Sequence, residues 1–221
     1  MSESEEIAKA IQESAKFGVK GLETAEKAGS FFAKVFQQPV YEILGMITDK
    51  LRFVRWTRAV KMMDEVTRIL DERGIQNPRP VPPKIALPIF EEASLEDEPT
   101  LQDLWNHLLA NAMDPSFNDE IRYGFIDMIK NLTSLDVQIL VYSYQELADN
   151  ANLNSASEIS KHLIKKDMIL DKLKISEEQY SMSIDNLIRM RLAEYLIMWS
   201  NGSTDYYMTF MGVKFIQACM R

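Results

Sequence analysis

NPRPVPPKIALPIFEEASLEDEPTLQDLWNHLLANAMDP, residues Asn77 to Pro115, is the stretch whose reading decides the fold, because here prolines cluster while the apolar pattern stays strong. Pro78, Pro80, Pro82 and Pro83 fix their own φ and push each preceding residue toward extended conformations. Asn77 to Pro83 should therefore form a stiff polyproline-like strut that no helix crosses. After it, Lys84 to Glu92 reads as a short helix with Pro88 confined to its first turn, since deeper in the helix it would remove a backbone donor. Pro99 suits a first helical position, with Asp97 or Glu98 as cap. From there Leu101, Leu104, Trp105, Leu108, Leu109 and Ala112 recur at helical spacing until Asp114-Pro115 ends the run, which marks that face as core.

At 221 residues with 46% hydrophobic content the chain is long enough to bury a substantial core. Eight glycines and eight prolines against abundant Leu, Ile, Ala and 13 Met favour helix, with methionine as adaptable apolar filler. A single cysteine, Cys219, excludes an intrachain disulfide and suits a reducing cytosol. The start, MSESEEIAKA, is acidic where a secretory signal would be basic and apolar, so the expected location is cytoplasmic, with the inner membrane face as the peripheral option. Net charge is −8, and residues 78–133 hold four Lys or Arg against ten Asp or Glu, so a general nucleic-acid surface is not expected.

Two long helices are expected before the strut. In the first, Glu5 to Gln37, the residues Ile11, Ala15, Gly18, Leu22, Ala25, Gly29, Phe32 and Phe36 follow an unbroken 4-3-4-3 spacing, a candidate association seam. Each interior Gly costs roughly 1 kcal/mol of helix propensity relative to Ala, so close approach of another helix should compensate. The competing reading lays this helix on an anionic membrane with Phe31, Phe32, Val35 and Phe36 as its apolar tip. Pro39 breaks it, and a second helix should run from Val40 to Arg73 with Gly74 as C-terminal cap. That helix carries a candidate basic patch, Lys50, Arg52, Arg55, Arg58 and Lys61 around Trp56, for which pairing with the acids Glu91 to Glu98 is the expected use.

Beyond the strut region, a helix is expected over Asp119 to Leu132, and another from Leu135 to Ala148 with Ser134 as cap. The last part reads as a helix Ala156 to Lys165, a capping box Ser176-Glu177-Glu178-Gln179 opening a helix to Arg191, then strands Ala193 to Trp199 and Thr204 to Phe210 around Ser-Asn-Gly-Ser, and a closing helix Met211 to Met220. The expected fold class is thus mainly α: long N-terminal helices (1–76), a proline strut and central helical layer (77–133), and a winged-helix-like part with one β-hairpin (134–221). In that order the helix over Tyr180 to Arg191 takes the DNA-reading position, yet Glu177, Glu178 and Asp185 against Arg189 and Arg191 do not make a phosphate-binding face.

An ERG element (Glu72, Arg73, Gly74), PRPVPP (Pro78 to Pro83), an apolar helix and LQDLW…LLANAMDP (Leu101 to Pro115) together resemble the Abi-alpha family, described as bacterial abortive-infection proteins. The resemblance implies phage defence and carries no catalytic motif. The residues themselves agree: there is no GxxxxGK[ST], GxGxxG, GxSxG or HExxH, and His107 and His162 lie far apart in the sequence without a second ligand at metal spacing. Asp103 and His107, one turn apart, lack a partnered nucleophile. No catalytic residue, metal site or cofactor is therefore expected. The expected partners are further copies of the chain and a phage or host protein, with a winged-helix transcriptional regulator and a membrane-face effector as the two alternatives.

The seam gives a first prediction. Replacing Gly18 and Gly29 with Leu raises helix propensity but forces a closely packed neighbour apart at roughly 1 to 3 kcal/mol per site. A shift toward monomer in sedimentation is expected if the seam joins copies, and a fall in melting temperature at fixed mass if it packs within one chain.

Overall fold

The structure, a computed structural model, describes residues 30–32, 34–35, 53–195 and 205–220, with the side chains of 53–57 left aside. The start of the second N-terminal helix and the Ser200 to Ser203 turn lie outside these residues, as do Ile11, Ala15, Gly18, Leu22, Ala25, Gly29, Phe36, Lys50 and Arg52. The described chain is mainly helical, with one two-stranded antiparallel pair near its C-terminal end. It divides into two compact units, residues 1–97 with 105–126, and residues 98–104 with 127–221.

In the first unit, helix α1 (Phe53–Glu72) buries Ala59, Met62, Met63, Val66, Ile69 and Leu70 at helical spacing. It ends as expected at Gly74, whose φ of 71° places it in the left-handed region that glycine enters without steric cost. Gly74 N–H donates to Asp71 O and Ile75 N–H to Leu70 O, the paired bonds of a Schellman cap. The strut follows with Pro82 at φ −55°, ψ 136°, and leads into α2 (Pro83–Ala93), which packs on α1 and buries Ala86, Ile89, Phe90 and Ala93. Pro88 corrects the sequence expectation: it lies in the helix interior and not in the first turn. Its missing N–H would have met the carbonyl of Lys84, an exposed residue where water can replace the bond. Phe31, Phe32 and Val35 are buried here, and both phenylalanine rings pack edge-on against Phe90, with centroids 6.2 and 5.3 Å away.

Helix α3 (Pro99–Met113) begins in the second unit and continues into the first, starting at proline as expected. All six of its predicted core positions are buried, Trp105 at 1% exposure. After it, Asp114 holds a tight turn and Phe117 is buried, so the chain stays irregular until α4 (Tyr123–Lys130). This shortens the helix expected from Asp119.

The second unit contains α5 (Ser134–Asn150), the single-turn α6 (Ala156–Ile159), α7 (Lys166–Leu173), α8 (Glu177–Arg189), β1 (Ala193–Tyr195), β2 (Tyr206–Met208) and α9 (Phe210–Cys219). Three expectations change. The cap of α5 is Thr133, one residue earlier than Ser134, because Thr133 and Asp136 form a reciprocal capping box. The helix expected over Ala156 to Lys165 stops at Ile159, because Ile164 turns extended and exchanges backbone bonds with Tyr206 of 2.7 and 3.2 Å. Phe210 leaves the expected strand to start α9, where the Thr209 hydroxyl accepts from Gly212 N–H. The Ser176–Gln179 capping box of α8 stands as read. Strand pairing runs Ala193↔Met208, Glu194↔Tyr207 and Tyr195↔Tyr206, with Ile164 on the other edge of Tyr206. Helix α8 packs on α5, α7 and β1, and α9 packs on α5 and β2.

Gly212 lies hard against the neighbouring backbone, since a Cβ built there would stand 2.2 Å from the Leu192 carbonyl oxygen. Gly212→Ala is expected to destabilise the protein by about 2 kcal/mol through backbone overpacking, read by urea denaturation. An unchanged midpoint would remove that contact from the fold.

Candidate functional site: the polar end of the central helix

The C-terminal turn of α3 leaves its last carbonyls without intrahelical donors, and the residues around them are buried, so donors must come from elsewhere in the chain. The proline strut supplies them. In P-R-P-V-P-P only Arg79 and Val81 carry backbone N–H groups, and both are bonded: Arg79 N–H to Met113 O at 2.8 Å, Val81 N–H to Val35 O at 2.7 Å. The Arg79 side chain continues along the helix end, Nε donating to Ala112 O at 2.8 Å and Nη2 to Asn111 O at 3.4 Å. Its cation thus stands at the negative end of the helix dipole.

Arg73 closes the other side, positioned by the cap at Gly74 that ends α1. Its Nη1 donates to Asn111 Oδ1 at 2.7 Å and to Asp114 Oδ2 at 3.4 Å, and its Nη2 stands 3.5 Å from His107 Nδ1. The other Asp114 oxygen accepts from the Ser116 N–H at 2.7 Å and hydroxyl at 2.6 Å. Asn111 and Asp114 are fully buried, so the planar guanidinium fork, with several fixed donors, satisfies acceptors that would otherwise be costly to bury. Sequence reasoning did not single out this cluster. Its available signal is a pair of polar residues, Asn111 and Asp114, in and just after the otherwise apolar run Leu108 to Met113.

The candidates from the sequence distribute as follows. Of the seam, Phe32 is buried within the first unit, and so are Phe31 and Val35, three of the four residues expected as a membrane tip. Of the basic patch, Arg58 donates to Leu95 O at 2.9 Å and lies 3.8 Å from Asp97, as the ion-pair expectation had it, while Lys61 is exposed and the Arg55 side chain lies outside the described residues. His107 faces Arg73 and His162 belongs to the other unit. Among the described residues no group of three or more His, Cys, Asp or Glu could hold a metal ion, and no helix is long and apolar enough to cross a membrane. Cys219 is buried, which pushes its thiol well above the usual range.

The family model for abortive infection alpha matches residues 57–219, a span that takes in Arg73, the strut, the polar end of α3 and the whole second unit except its last residues. The chain belongs to the abortive infection alpha family. No curated protein and no solved structure matches it. Membership of the abortive infection alpha family points to a part in phage defence. The stretches that carry the resemblance contain Arg73, Gly74, Arg79, Asn111 and Asp114, which together form a latch tying the end of α3 to the end of α1 and to the strut.

Breaking the latch has a predictable sign. Arg73→Met leaves Asp114 and Asn111 buried without their cation and should cost on the order of 3 kcal/mol, with Arg73→Lys recovering only part because an ammonium cannot reproduce the fork. Combining Arg73→Met with Asp114→Asn should cost less than the sum of the two in urea denaturation; strict additivity would mean that the groups do not interact.

Proposed function

We propose that the chain is a non-catalytic abortive-infection protein that acts through association with protein surfaces, further copies of itself and a phage or host protein among them. The observation that carries this reading is the use made of the motif's polar groups. Arg73, Arg79, Asn111 and Asp114 bond to one another and to a helix end, so the chemically richest part of the chain serves the architecture. Surfaces, not a reacting centre, then remain for function, in a cytoplasmic protein without a cofactor.

The second unit supports a docking role. Its order of helix, bridging residue Ile164, helix, helix and antiparallel pair follows that of a winged helix, with α8 as the helix that reads DNA in such modules. This order is also what favours the alternative, a DNA-binding regulator. Against it, the exposed side of α8 presents Glu177, Glu178 and Asp185, which phosphate would repel, with Arg189 at its end. Against the membrane-face alternative, three of the four residues of its apolar tip, Phe31, Phe32 and Val35, are buried in the first unit.

Expressed in a phage-sensitive host, the chain is expected to lower plaque counts, and Asp103→Asn and His107→Gln variants of unchanged melting temperature should protect equally. Loss of protection in either would favour chemistry over association. In a low-salt mobility shift the chain should leave duplex DNA unretarded, whereas tight, salt-dependent binding would put the regulator first.

A further inference from the structure

Helix α8 has one face in the core, through Tyr180, Ser183, Ile184 and Leu187, and one in water. The water-facing stripe is Glu178, Met182, Asp185 and Arg189, again at 4-3-4 spacing. Met182 is 76% exposed, beyond any other large apolar residue described, the next being Leu95 at 48%. Charge along the stripe is segregated: Glu177 and Glu178 in the first turn, Arg189 in the last, and exposed Arg191 just beyond. A single-sign partner, whether nucleic acid or a basic or acidic peptide, would suit one end and be repelled by the other.

We infer that the solvent stripe of α8 pairs antiparallel with the same stripe of a second copy of the chain, Glu178 facing the Arg189 of the other copy and the two Met182 side chains meeting at the centre. The inference deepens the association reading above and rests on it. The twelve residues from Glu178 to Arg189 span about 16 Å along the helix. Reversing a second α8 about a two-fold axis midway between them brings each acidic end to a basic end twice over, as an isologous interface requires. Met182 then lies about 2 Å from that axis along the helix, so both methionines leave water together. The side chains are set for this. Asp185, the central carboxylate, accepts from the Tyr195 hydroxyl of its own chain at 2.9 Å, which ties it to β1. Arg189 is held on the helix surface by donating from Nε and Nη2 to Asn186 Oδ1, at 3.3 and 2.7 Å. The Ser176 hydroxyl beside Glu178 holds its carboxyl below the usual range, so it stays ionised at neutral pH. One helix pair covers much less than the roughly 800 Å² per partner of a standard interface, so the pairing is weak and salt-sensitive.

The test is sedimentation of the full chain at low salt over a concentration series, as wild type, Glu178→Arg, Arg189→Glu and the double exchange. All sites are exposed on the helix surface, and circular dichroism checks the fold. Each single reversal turns two attractive exposed pairs repulsive and should weaken self-association by about tenfold, while the double exchange restores both pairs and should return it close to wild type. Met182→Cys should form an interchain disulfide on mild oxidation, since the native Cys219 is buried. A double variant no better than the singles overturns the pairing, as does a chain monomeric at every concentration. An oligomer that no variant alters overturns this interface and leaves the association reading standing. A single reversal that abolishes phage protection without changing mass assigns the stripe to a foreign partner and overturns self-pairing.

Discussion

The carbonyls at the end of α3 have to be satisfied inside the protein, and the first unit is arranged around that requirement. A helix terminus in water needs nothing further, but Asn111, Ala112 and Met113 are buried, and an unmet carbonyl there would cost as much as a lost hydrogen bond. The proline strut is suited to the task because four of the six residues in its P-R-P-V-P-P run, Pro78, Pro80, Pro82 and Pro83, bring no N–H of their own to satisfy. The two that do, Arg79 and Val81, place their donors on opposite partners, so the same few residues close the α3 end and fix residue 35 beside it. Arg73 adds the charge that lets Asp114 stay buried, and it is in place because α1 ends at Gly74.

The second unit turns on Tyr206 in a comparable way. Its backbone pairs with Tyr195 on one side and Ile164 on the other, its ring stands 6.5 Å from that of Tyr180, and its hydroxyl bonds to Ser143. Ser143 in turn donates to Ile139 O at 2.7 Å within α5. Burial pushes both tyrosine hydroxyls above their usual range, so they remain neutral hydrogen-bonding groups. One side chain thereby ties α5 to the strands and to α8, and α8 is left with its opposite face in solvent.

These two arrangements bear on function by what they consume. Within the span that matches the abortive infection alpha family, Arg73 binds the Asn111 and Asp114 side chains and Arg79 the last carbonyls of α3, so these polar groups are taken up by the latch. The side chains left facing water along α8 are a methionine between segregated charges.

What the sequence determined by itself was whatever rests on neighbours along the chain. The strut followed from proline's fixed φ, the end of α1 from Gly74, the α8 start from Ser176 and Gln179, the core face of α3 from its helical spacing, and the family from the same motif. Local rules failed at single positions where Thr133 replaced Ser134 at the cap of α5 and where Pro88 lies inside α2. What only the tertiary structure decided were the pairings between distant positions: Arg73 with Asn111, 38 residues apart, Ser143 with Tyr206, 63 apart, and the strand-like turn of Ile164 toward Tyr206 that cut its helix short. A buried donor or acceptor needs some partner, but nothing in the local pattern says which, because the choice is made by the packing that brings two elements together.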